Sequence, residues 1–158
     1  MNSGDIYSIP LFLSDVSALK NFSCYDFTKD GMEFCFARII EDRRGSGILI
    51  EVFDIFGELD RGLSQIIIRP RLFSPVFVAG EAIKKKRWRC VGTTDHYDKE
   101  KDSGYSKIKF LIGPRENRRL WIGGKECLAN DSDEMSSFEE FVIWPAVQVE
   151  RRILKAKL

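Results

Sequence analysis

The chain has 158 residues, of which 44% are hydrophobic and 31% are charged, so it is long and apolar enough to fold with a buried core. Its 25 basic and 24 acidic residues leave a net charge of +1, which argues against a generally basic nucleic-acid-binding protein. The single histidine, His96, excludes a site built from several histidines.

The first third of the chain has the pattern of antiparallel strands. Residues 5–11 are rich in β-branched and aromatic side chains and predict a first strand. The mostly polar segment 14–30 predicts a short helix or a partly packed loop. Two apolar runs, 33–40 and 48–56, flank the turn residues 45–47 (Gly-Ser-Gly) and predict a β-hairpin.

The middle of the chain continues with short apolar segments. Residues 65–69 predict another strand, which Pro70 ends. The polar segment 94–106 predicts a loop, and residues 107–112 predict a strand stopped by a Gly-Pro pair.

The last third combines a hairpin with a helix. Residues 120–122 and 126–129 flank a Gly-Gly pair and predict a hairpin. Pro145 is suited to the first position of a C-terminal helix. These patterns predict one domain over residues 1–158, of the α+β class and β-rich, with a twisted antiparallel sheet of short strands and a C-terminal helix. Partial closure of the sheet into a barrel is an alternative.

The cysteine pattern and the N-terminus predict a cytoplasmic protein. The N-terminal residues lack the basic region and apolar run of a secretory signal, and no run of about 20 apolar residues could cross a membrane. The four cysteines have no CxxC spacing, which predicts reduced thiols and no zinc site. No cofactor is predicted.

Recognisable catalytic motifs are absent from the sequence. It contains no GxSxG, no phosphate-binding GxxxxGK[ST] and no HExxH. His96 lies in a polar segment and is interpreted as an exposed loop residue. These absences favour a non-catalytic protein, and an enzyme that uses an unrecognised pair of carboxylates is a remaining alternative.

Charge is distributed unevenly along the chain. Residues 1–60 carry a net charge of −6, residues 61–125 carry +10, and residues 126–158 carry −3. If each block lies on one side of the fold, such segregation creates faces of opposite sign, which steer oppositely charged partners.

A short basic run is the sharpest local signal. We favour its interpretation as a solvated connection in which Trp88 packs inward. The alternative is a nucleic-acid-binding patch, in which cations contact phosphates and the tryptophan stacks on a base. The cations of this run are Lys84, Lys85, Lys86, Arg87 and Arg89.

Several short segments, in order along the chain, resemble the immunity protein 26 family of bacterial polymorphic toxin systems. Residues 4–11, Gly-Asp-Ile-Tyr-Ser-Ile-Pro-Leu, are similar to the opening of that family. Later segments match its order as well: 34–39, 52–54, 75–79, 87–92 and 149–153. The segments 14–30 and 94–106 depart from the family pattern.

This resemblance implies a β-rich, non-catalytic cytoplasmic protein that binds and neutralises a cognate toxin domain. Acidic residues that mimic phosphates would suit a basic nuclease. We expect toxin contacts first in the acidic stretch containing Asp131, Asp133, Glu134, Glu139 and Glu140, and second in a group made of Asp54, Glu58 and Asp60. The competing interpretation of the acidic stretch is a solvated loop.

Overall fold

The structure is a computed structural model that describes residues 1–16, 20–129 and 137–158. Its strands are β1 (Asp5–Pro10), β2 (Phe34–Asp42), β3 (Ile48–Gly57), β4 (Val76–Val78), β5 (Arg89–Thr93), β6 (Lys109–Ile112), β7 (Arg119–Ile122), β8 (Lys125–Leu128), β9 (Glu139–Glu140) and β10 (Ile143–Trp144). Its α-helices are α1 (Leu63–Ile67), α2 (Glu81–Lys84), α3 (Lys99–Ser103) and α4 (Ala146–Lys157). Short 3-10 helices cover Tyr105–Lys107 and Arg115–Asn117.

These strands form two sheets. The larger has the order β10-β4-β3-β2-β1-β5, and the smaller has the order β8-β7-β6-β9. Neighbouring strands are antiparallel except at the short β10–β4 and β6–β9 pairs. The predicted β-rich α+β class is therefore confirmed. Across the described ranges both sheets remain open, so the alternative of a barrel is wrong.

One face of the larger sheet is buried beneath α4. Side chains alternate between faces along a strand, so Cys35, Ala37 and Ile39 of β2 point the same way. They lie in one apolar cluster with Val149 and Ile153 of α4. The predicted C-terminal helix is thus confirmed, and its buried stripe covers the centre of the sheet.

The opposite face carries two separate apolar clusters. One joins the sheet to the loop before β2 and includes Phe22, Phe27, Phe36 and Phe53. The other joins the two sheets and includes Leu49, Phe77, Phe110 and Trp121. Because both faces are covered, β2 and β3 are apolar at most positions instead of alternating.

A charged network separates these two clusters. Arg38 of β2 lies opposite Glu51 of β3, with 3.1 Å between Nε and Oε2, and the two side chains are 4% and 3% exposed. Arg71 donates to the second carboxylate oxygen at 3.1 Å, and the Ser103 hydroxyl also donates to Glu51. The buried carboxylate is therefore compensated on both oxygens, and the network ties α3 to the sheet.

The strand predicted at residues 65–69 is wrong, because this segment contains most of helix α1. Ile66 is fully buried, whereas Ile68 is 77% exposed. Residues two positions apart share one face of a strand but point to nearly opposite sides of a helix, so this difference in burial fits the helix. Strand-like pairing begins only afterwards, where Asp54 N–H donates to the Pro70 carbonyl and Leu72 N–H donates to the Val52 carbonyl, both at 2.8 Å.

The polar segment 94–106 is also more ordered than the predicted loop. Asp98 accepts hydrogen bonds from the N–H groups of Glu100 and Lys101 at 2.9 and 3.1 Å, and so caps the start of α3. The left-handed conformation of Gly104, with φ of 61°, ends that helix.

The four cysteines differ sharply in environment, which gives a direct test of the fold. Cys24, Cys90 and Cys127 are exposed, whereas Cys35 is buried, and burial raises the pKa of its thiol to about 12. We expect a thiol reagent at pH 8 to label the three exposed cysteines of the native protein and to label Cys35 only after denaturation. Labelling can be counted by mass spectrometry. Modification of Cys35 at the rate of the others in the native state would contradict the fold.

A candidate acidic cleft

An open cleft of about 750 Å³ lies at one end of the β2–β3 hairpin. Phe34, at the start of β2, pairs with Gly57, at the end of β3, so the segments flanking these two residues leave the sheet side by side. Together they form the walls of what we call the acidic cleft. It is lined by Gly31, Met32, Glu33, Phe56, Gly57, Glu58, Asp60, Arg61 and Gln65.

The charged groups of the cleft are mostly acidic. Glu33, Glu58 and Asp60 contribute three carboxylates, against the single guanidinium of Arg61. In the part of the chain that the structure describes, no cation lies within 4 Å of the Glu58 or Asp60 carboxylate. Both side chains are exposed, so they are available to a partner.

The one cation in the lining is held against the backbone. Arg61 Nη2 donates to the Phe56 carbonyl at 3.3 Å. Any β-carbon at position 57 would lie 2.5 Å from Arg61 Nε, so glycine at this position is what lets the guanidinium pack against the strand end. Arg61 therefore forms part of the wall and does not neutralise the neighbouring carboxylates through an ion pair.

A lysine from α4 reaches the rim of the cleft. Lys157 Nζ donates to the Glu33 carboxylate and lies 5.2 Å from the centroid of the Phe56 ring. The cleft is thus bordered by three separate parts of the chain: the segment before β2, the segment after β3, and the last turn of α4.

Of the second predicted acidic group, two members lie together. Glu58 and Asp60 line the cleft, whereas Asp54 is a half-buried residue of β3 outside the lining. Asp54 pairs through its backbone, since its N–H donates to the Pro70 carbonyl at 2.8 Å. Glu33 was missed by the sequence analysis, although its position directly before β2 places it opposite the end of β3.

In the first predicted acidic stretch, both carboxylates that the structure describes form ion pairs with arginines of this chain. Glu139 forms an ion pair with Arg152, and Glu140 forms one with Arg118 at 2.8 Å. These two carboxylates are therefore already compensated by cations of this chain. The remaining predicted residues, Asp131, Asp133 and Glu134, lie outside the described residues.

The basic run does not form one exposed patch. Arg87 is buried and makes an ion pair with the equally buried Glu150, with 2.9 Å between Nη2 and Oε2. Arg89 donates to the carbonyls of Phe22 and Tyr25 at 2.7 and 2.8 Å.

The remaining cations of the run are lysines. Lys84 and Lys86 are exposed, Lys85 is half-buried, and Trp88 packs inward as expected. This corrects the alternative prediction of a nucleic-acid-binding patch. Arg87 is buried and therefore inaccessible to a nucleic acid, and Arg89 donates hydrogen bonds to the loop before β2. The three lysines alone give a polyanion less positive charge to bind than the five cations of the predicted patch.

No helix in the described ranges has the length and apolar character needed to cross a membrane. Those ranges also contain no group of three or more histidine, cysteine, aspartate and glutamate side chains arranged to hold a metal ion.

One known protein family matches most of the chain. The family model described as Immunity protein 26 matches residues 2–118, which is about three quarters of the chain and includes every residue that lines the cleft. The matched range ends before β7, so α4 and Lys157 lie outside it. Neither the curated proteins nor the solved structures contain a match.

Proposed function

The chain belongs to the immunity protein 26 family, and from that membership we propose that it protects its cell by binding a cognate toxin and blocking it, with the acidic cleft as the docking surface. In this proposal the protein is cytoplasmic and performs no catalysis. It works by covering the active site or another functional surface of the toxin.

The cleft is chosen as the docking surface because two of its carboxylates have no cationic partner in the described part of the chain. Glu58 and Asp60 are exposed carboxylates on a concave surface without ion-pair partners among the described residues, whereas the acidic residues of β9 already have arginine partners. Unpaired charge of one sign attracts a partner of the other sign and speeds association. A basic surface of the toxin would therefore gain more from the cleft than from β9.

Nine residues line the cleft, which is fewer than the roughly 20–30 residues per side of a stable protein interface that buries roughly 1,200–2,000 Å² in total. Helix α1 extends it, because Gln65 lines the cleft and Ile68, at the end of that helix, is 77% exposed. Ile68 follows Gln65 by about one helical turn, and an exposed isoleucine there would add an apolar anchor to the charged rim that Glu58 and Asp60 form.

We further propose that the toxin is a nuclease. A nuclease has a cationic cleft that binds phosphates, and carboxylates of an inhibitor can occupy the same positions. The three carboxylates of the acidic cleft support a toxin of this class. Asp54 and the acidic stretch 131–140 remain proposed secondary contacts.

The test is co-expression with the toxin domain encoded next to this gene. We expect cells that produce the toxin to grow only when this protein is also present, and we expect the two chains to purify together through a tag on either one. Because inhibition occurs by binding, protection should require stoichiometric amounts of the protein.

Unrelieved toxicity together with no association of the pair would refute the proposal. Protection at far below stoichiometric amounts of this protein would contradict the binding mechanism, because it would indicate turnover.

A further inference from the structure

The C-terminal helix of this chain indicates which chemical group the acidic cleft accommodates. Lys157 places its ammonium group against the Glu33 carboxylate and 5.2 Å from the centroid of the Phe56 ring. A carboxylate and an aromatic face are the two kinds of group that bind a cationic side chain most effectively. Both belong to the lining of the cleft.

The contacts that Lys157 makes with Glu33 and Phe56 are weak. The side chains of Lys157 and Glu33 are 37% and 43% exposed, and an exposed ion pair of this kind contributes little to stability. Lys157 also lies in the last turn of α4, whose buried residues Ile153 and Val149 are about one and two turns earlier. Releasing the lysine therefore leaves the packing of the helix intact.

The cleft contains more negative charge than Lys157 can balance. Glu58 and Asp60 have no cation within 4 Å among the described residues, and Arg61 is turned to the Phe56 carbonyl. A smaller depression of about 220 Å³ shares Met32, Glu58 and Asp60 with the cleft, so the two carboxylates lie between two adjoining hollows. Because Lys29 lines the smaller hollow, a cationic side chain that enters from outside approaches the two carboxylates from the cleft.

We propose that the acidic cleft is a socket for a lysine or arginine side chain of the partner, and that Lys157 occupies the rim of this socket in the free protein. The identity of the partner as a toxin rests on the proposed function. The preference of the socket for a cation is a property of the free protein and can be tested without any toxin.

The experiment is a titration followed by ¹H–¹⁵N NMR on the full chain. The probe is Nα-acetyl-lysine methylamide, and the neutral control is Nα-acetyl-norleucine methylamide, which has a similar apolar stem without the charge. We expect saturable shifts at the amides of Gly31, Gly57 and Glu58 with the lysine probe and none with the control. Shifts that are equal for both probes, or absent from these amides, would overturn the proposal.

Two variants separate the socket from general surface charge. Asp60→Asn should weaken binding of the probe, whereas Glu116→Gln, an exposed acidic residue beside the smaller sheet, should not. Lys157→Met should lower the apparent Kd, roughly threefold if the lysine fills the rim about two thirds of the time. An unchanged Kd in Lys157→Met would refute occupancy of the socket by Lys157.

Binding of the lysine probe and protection of cells are independent measurements, so failure of the socket can be told apart from failure of the immunity function. If the protein protects cells but does not bind the lysine probe, the socket is wrong and the immunity function stands. If it binds the probe at the cleft but gives no protection, the socket stands and the immunity function is wrong.

Discussion

Replacement of Arg87 by methionine is expected to lower the free energy of unfolding by about 3–5 kcal/mol, because it leaves a buried carboxylate without its cation. Both Arg87 and Glu150 are fully buried, and Arg87 Nε lies 3.1 and 3.0 Å from the two Glu150 oxygens. Arg87 also donates to the carbonyls of Leu13 and Val16, so the loop before β2 should loosen as well. Chemical denaturation followed by circular dichroism measures the loss.

A second variant shows whether the uncompensated charge causes the loss. In Arg87→Met with Glu150→Leu, both charges are removed, and replacement of a buried pair by apolar residues is often neutral or stabilising. We expect the double variant to recover most of the lost stability. If it is as unstable as the single variant, the lost hydrogen bonds to the loop, rather than the charge on Glu150, are responsible.

Charge reversal in the acidic cleft is expected to weaken binding of the toxin strongly. Asp60→Lys together with Glu58→Lys should weaken binding of the toxin by about 100-fold or more, since opposed like charges at an interface cost several kcal/mol. Both residues are exposed and make no ion pair among the described residues, so the fold should be unaffected. Biolayer interferometry with the purified toxin domain measures the change, and thermal unfolding confirms that the variant is folded.

The control reverses one charge beside the smaller sheet, away from the cleft. Glu116→Lys changes the same kind of exposed residue beside the smaller sheet. The cleft is at the Phe34 end of β2, and the smaller sheet packs near Ile40, which lies about 20 Å away along the strand. If Glu116→Lys weakens binding as much as the double variant, the cleft is not the docking surface.

Local patterns were enough to predict much of the larger sheet. The β2–β3 hairpin follows from two apolar runs around a glycine-rich turn, where Gly45 and Gly47 adopt positive φ angles of 84° and 92°. The grouping of Glu58 and Asp60 at a strand end was also visible in the sequence. Both features depend on residues close together in the chain.

Other features depend on long-range geometry. Lys86 adopts a positive φ of 61°, and the N–H groups of Arg87 and Trp88 both donate to the Ala82 carbonyl. This turn directs two consecutive side chains inward and divides the basic run, which no spacing rule predicts. Similarly, Glu33 joins Glu58 only because Phe34 pairs with Gly57, and Lys157 reaches the cleft only because α4 crosses the sheet.

Hydrogen–deuterium exchange on the protein alone and in complex with its toxin shows whether the acidic cleft is the docking surface. We expect slower exchange in the complex at residues 28–33 and 57–68, which form the cleft and α1, and little change in β7 and β8. Protection confined to the smaller sheet, with unchanged exchange at the cleft, would contradict this expectation.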